Sequence, residues 1–119
     1  MDNKEFGKQL EERTKRFAIN IIKLSITIPN TPEGRVIRNQ LTKSGTSIGA
    51  NYREANRSRS KTDFNNKIKI CESESSETEF WLEIVLELKW TDNDSTCILL
   101  KEASELIAIF TSIGKNLKQ

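Results

Sequence analysis

Histidine is absent from this 119-residue chain, and with it go the commonest general base, the commonest metal ligand and the usual activator of a serine or cysteine nucleophile. The residues left that could do chemistry are two cysteines, a scatter of glutamates and a band of arginines. Cys71 and Cys97 have neither a CxxC spacing nor the density of a disulfide scaffold, so both are read as small apolar packing residues of a reducing compartment. Glu54 could be drawn together with Glu74 or Glu77 as an acid–base pair, but nothing in the spacing implies a shared cleft. No catalytic residue, cofactor or metal site is expected.

Lys43-Ser44-Gly45-Thr46-Ser47-Ile48-Gly49-Ala50-Asn51 has the composition of a phosphate loop. Its order is wrong for one: the lysine precedes the glycines, and the run sits inside a helical pattern rather than after a strand. It reads instead as a smooth helix face against which another helix packs closely, at a cost near ~1 kcal/mol per interior glycine. Asn51 and Glu54 flank Tyr52 near that face, either fixing the helix against its neighbours or contacting a ligand. Arg35, Arg38, Arg53 and Arg57 project to one broad side of the same helix, and Arg59 and Lys61 extend them. This is a candidate phosphate-contacting surface. The alternatives are a solvated face or half of an ion-pair network between subunits. No aromatic residues interleave with the arginines, so a base-stacking platform is not expected.

The elements that must carry these residues are helices. Two prolines and five glycines interrupt a chain rich in Leu, Ile, Glu and Lys, and the chain length suits one domain, residues 1–119. Breaks at Pro29-Asn30-Thr31-Pro32, at Arg57-Ser58-Arg59 and at Thr91-Asp92-Asn93-Asp94 predict helices over about 2–28, 33–56, 60–90 and 94–117, with Ser60 capping the third and Asp94 or Ser95 the fourth. Short links make neighbours antiparallel, so the expected fold is an all-α, up-down four-helix bundle. Its inward stripes are Phe6, Leu10, Arg13 or Thr14, Phe17, Ile21, Leu24 and Ile28; Ile37, Leu41, Ser44, Ile48, Tyr52 and Ala55; Phe64, Ile68, Cys71, Ser75, Leu82 and Leu86; and Leu99, Ala103, Leu106, Phe110, Ile113 and Leu117. No apolar run is long enough for a signal peptide or a membrane span, which favours a cytoplasmic protein.

Apolar residues remain once those stripes are assigned. Ile70, Trp81, Ile84 and Leu88 lie about 120° from the core stripe of the third helix, and Ile19, Ile22 and Ile26 repeat the pattern on the first. Either these flank a wide core or they cover a partner surface. Glu74 and Glu77 share the side of Trp81. Residues 1–69 carry fifteen Lys or Arg against seven Asp or Glu, and residues 70–119 carry four against ten. A basic part therefore stands ready to meet an acidic one. Contact between two different patches is head-to-tail and closes into a ring when the rotation allows, so a cyclic homo-oligomer is expected.

Arg38-Asn39-Gln40-Leu41, the stretch Ser44 to Ala55, Ser60-Lys61-Thr62-Asp63-Phe64 and Glu77-Thr78-Glu79-Phe80-Trp81-Leu82 resemble the four-helix-bundle proteins encoded in intervening sequences of bacterial large-subunit ribosomal RNA genes. That group includes the accessory variability determinant of diversity-generating retroelements. The resemblance implies a homopentameric ring. For the retroelement relatives it also implies a basic surface that binds nucleic acid and a partner reverse transcriptase. Trp81 and Glu77 match the family's third-helix motif, and Ser47, Asn51 and Glu54 its second-helix motif.

Overall fold

The computed structural model describes residues 3–117; the expected start at Asp2 lies outside them, as does the side chain of Leu117. All four elements among the described residues are helices: α1 (Asn3–Ser25), α2 (Pro32–Asn56), α3 (Lys61–Glu87) and α4 (Asn93–Leu117). Contacts such as Glu11 with Arg53, Ser44 with Thr78 and Arg13 with Glu102 pair the helices antiparallel around one core. Phe17, Ile21, Ile28, Leu41, Ile48, Ile68, Leu82, Leu106 and Phe110 are its largest sealed side chains.

The helix ends depart from the sequence reading by a few residues, each for a local reason. α1 stops at Ser25, not residue 28, because the Thr27 and Ile28 amides fold back onto the Leu24 and Ser25 carbonyls in a tighter turn ahead of Pro29. Pro32 opens α2, one residue early, since its missing N–H is an orphan there anyway; Thr31 caps it by accepting from the Gly34 amide at 3.0 Å. Ser60 caps α3 as expected, accepting from the Asp63 amide at 3.0 Å. α3 ends at Glu87, not residue 90. Lys89 takes φ 59°, its amide bonds the Leu86 carbonyl and the Trp90 amide bonds the Val85 carbonyl, a Schellman cap in which lysine fills the glycine position. For α4 the cap is Asp92, not Asp94 or Ser95: its carboxylate accepts from both the amide and the hydroxyl of Ser95.

The core stripes hold with local exchanges. Thr14, not Arg13, turns inward on α1, its hydroxyl donating to the Leu10 carbonyl. Thr78 and Val85 are sealed on α3 while Phe64 and Leu86 are half-buried, and Phe6 is exposed. Cys71 is buried, but Cys97 is exposed, because it falls about 200° around α4 from Leu99. The smooth face of α2 does what its composition implies. A Cβ on Gly45 would lie 2.7 Å from Cγ2 of Ile21, and one on Gly49 would lie 3.1 Å from the Thr14 hydroxyl, so α1 packs directly on the α2 backbone.

Candidate self-association and nucleic-acid surfaces

Along α3, steps of three and four join Ile70, Glu74, Glu77, Trp81, Ile84 and Leu88 into a stripe outside the core line. Ile70 and Leu88 are exposed, whereas Trp81 and Ile84 are half-buried and Trp81 packs against the core. The indole N–H of Trp81 donates to Glu77 Oε1 at 3.3 Å, one turn back. Phe80 adds to this surface: 53% exposed, it meets the Trp81 ring edge-on at 5.0 Å. Phe80 falls outside both sequence stripes of α3; the Phe80-Trp81 doublet, whose two rings cannot both enter one core, is the signal that marks it. Partial burial pushes the Glu74 carboxyl up, the Glu77 carboxylate adds to the rise, and Lys43 opposes it. Closing anything apolar over this stripe deepens that cost unless a cation arrives with it.

α2 supplies the other half of the same face. Thr78 donates to the Ser44 hydroxyl at 2.9 Å in the buried contact between the helices, and Lys67 reaches Glu54 at 3.3 Å across their outer edge. With that register, Ser47, Asn51 and Glu54 stand on the side of α2 that borders α3, Ser47 near the level of Glu74 and Glu54 near that of Lys67, roughly 20 Å along the axis from Trp81 at 1.5 Å per residue. Ser47 and Asn51 satisfy themselves within α2, on the Lys43 and Ser47 carbonyls; of the three, Glu54 makes the contact to the neighbouring helix. All five motif residues thus belong to one surface.

The α1 stripe lies on the other flank of α2. Ile22 and Ile26 are exposed, Ile26 at 70%, and Ile19 is half-buried. Farther along the same α1–α2 side, Ala18, Thr46, Gly49 and Ala50 form a shallow trough bordered by Arg53 and Arg57. The six basic residues do not act as one patch. Arg38 turns inward, its guanidinium on the Ile28 carbonyl in the link between α1 and α2, and its buried Nε has no partner among the described residues. Arg53 pairs with Glu11 at 3.5 Å. Arg35 sits at the start of α2, with Asn30 at 3.3 Å. Exposed Arg57, Arg59 and Lys61 cluster at the far end, roughly 30 Å away at 1.5 Å per residue.

Burial pushes the Cys71 thiol up to about 12, and its Sγ–H points at the Ile48 carbonyl, so it is no thiolate near neutral pH. Among the described residues, no group of three or more Cys, Asp or Glu is gathered tightly enough for a metal ion, and no helix is long and apolar enough to cross a membrane.

The family model described as 23S rRNA-intervening sequence protein matches residues 9–112. Among solved structures, the chain is similar to a protein of unknown function from the S23 ribosomal protein family of Bacteroides thetaiotaomicron. The two are 33% identical over 88% of this chain and 97% of that one, with a TM-score of 0.81. No curated protein matches.

Proposed function

Because the chain belongs to the 23S rRNA-intervening sequence protein family, we propose that it is a non-enzymatic scaffold that assembles head to tail into a closed ring and contacts an RNA or DNA backbone through the basic end of α2. The observation that carries the assembly is the placement of the leftover apolar residues. They form two stripes on opposite flanks of α2, and the stripe on α3 carries Glu74 and Glu77 while the one on α1 adjoins arginines. Unlike patches of complementary charge favour a heterologous contact, which closes at a fixed number of copies. The family resemblance favours five.

Light scattering on the purified protein tests the assembly. The wild type is expected as one discrete oligomer, and Trp81→Asp or Ile84→Asp as a folded monomer; a wild-type monomer at tens of micromolar sinks the proposal. Filter binding with duplex DNA and ribosomal RNA over a salt series tests the second part. Affinity should fall as salt rises, and the Arg57→Glu, Arg59→Glu pair should weaken it about tenfold or more.

A second reading keeps the ring and drops the nucleic acid, along with the reverse transcriptase as partner. The inward turn of Arg38 and the pairing of Arg53 with Glu11 favour it, since both withdraw charge from the phosphate-contacting side. Substituting Arg53 and Arg57 by Glu separates the two: loss of the oligomer supports the structural role, loss of nucleic acid with the oligomer intact supports the scaffold.

A further inference from the structure

The seam between α1 and α4 touches least of all the helix pairs in contact and opens beyond its central ion pairs. Where α1 ends and α4 begins lies a half-open groove of about 500 Å³, with Lys23 and Leu24 on one wall, Ile98 and Leu99 on the other, and Lys89 and Trp90 of the α3–α4 turn across its end. We infer that this groove docks a short peptide segment of a partner protein in which an apolar anchor is flanked by acidic residues.

Three observations carry this. Leu24, Trp90, Ile98 and Leu99 give the groove apolar surface among the polar Asn20, Thr27, Thr91 and Ser95, and Ile98 is 69% exposed. Two lysines border the groove, and neither forms an ion pair among the described residues. One of them, Lys89, holds the left-handed position that glycine fills without strain, so the turn across the end of the groove presents a charge where the backbone alone favours glycine. Asp92 also lines the groove, but its carboxylate is engaged by the amide and hydroxyl of Ser95. Asp92 and the neighbouring Asp94 disfavour a continuous phosphate backbone here, whereas a peptide can set its carboxylates against the lysines one at a time. On α1 the groove runs from Asn20 and Leu24, on the side facing α4, to Lys23, which stands one turn from Ile19 at the edge of the α1 stripe. Lys89 and Ile98 lie on other elements, so their variants test docking apart from the ring and from nucleic-acid binding.

The test uses an array of short peptides, each with Leu, Ile, Phe or Trp set between pairs of Asp or Glu, beside neutral counterparts carrying Asn or Gln; the tightest is then measured by fluorescence anisotropy. Acidic members are expected to bind at least about tenfold more tightly than their counterparts and to weaken as salt rises. Lys23→Glu with Lys89→Glu should lose about tenfold or more, and Ile98→Asp a similar amount. Lys89→Gly is the sharper variant. It should raise the melting temperature by about 3–6 °C while still weakening the peptide, a combination that a purely structural lysine does not produce. Equal binding of neutral and acidic peptides, no retention of any acidic member, unchanged affinity in Lys89→Gly, or displacement of the peptide by a single-stranded RNA oligonucleotide at equal concentration overturns the inference.

Discussion

α1 takes part in two seams of opposite character. Against α2 it meets glycine: Ile21 lies over Gly45 and Thr14 over Gly49, closely enough that Cβ atoms there would crowd it. Against α4 it meets bulk and charge. Arg13 grips Glu102 with two bonds of 2.7 Å and reaches Glu105 at 3.3 Å. On either side of that grip the helices part, over the groove at Trp90 and over a wider cleft of about 860 Å³ floored by Tyr52 and Phe64. Small residues let backbones approach and bury surface without polar help. A seam of long side chains is held by a bidentate ion pair at the surface, which contributes less and leaves room for other molecules.

The largest expected effect lies at the turn that starts the close seam. A Cβ on Gly34 would sit 1.9 Å from the Pro29 carbonyl oxygen, a backbone atom that cannot swing aside. Gly34→Ala should therefore cost about 3 kcal/mol or more in urea unfolding, and a loss under about 1 kcal/mol would show that this turn is slack. Gly45→Ala comes next. Overpacking against buried Ile21 outweighs the gain in helix propensity, for a net loss of about 1–2 kcal/mol. A stabilised Gly45→Ala protein would erase the contrast between the seams.

On the open side Arg13→Leu should cost only about 0.5–1 kcal/mol, because both partners keep contact with solvent. A loss near that of Gly34→Ala would make the ion pair the principal tie. The smallest effect is in the pH profile. Hydrogen bonding to Arg13 holds the Glu102 carboxyl below its usual range. Its stabilisation is present above the unfolded carboxylate pKa and is lost as pH falls through the lower folded value. Glu74 has the opposite sign. Its raised carboxyl favours the folded state at low pH, and that contribution fades as pH rises through the raised value. Glu102→Gln should flatten the acid limb of stability below about pH 4, and Glu74→Gln should lift stability near neutral pH; titration of the unfolding midpoint checks both.

Much of this was legible because it depends on near neighbours. The Pro29–Pro32 break, the Ser60 cap and the close-packing face around Gly45 each follow from one residue's own backbone chemistry. The cap of α4 was harder, since Asp92, Asn93, Asp94 and Ser95 are all cap-competent and only the final turn geometry selects among them. Residue type alone places Cys97 in the core, whereas its angle of about 200° from Leu99 around α4 puts it in solvent. The inward turn of Arg38 is not legible from its helix face, as its partner is the Ile28 carbonyl in the link before α2.

By itself the sequence determined four helices, their order, their inward stripes and the second apolar stripes on α1 and α3, since periodicity and turn chemistry act over a few residues. Only the tertiary structure decided which stripes flank α2, which arginines remain free and that the α1–α4 seam is open. Those outcomes depend on how far apart two backbones settle, and that distance is set jointly by side chains remote in the chain.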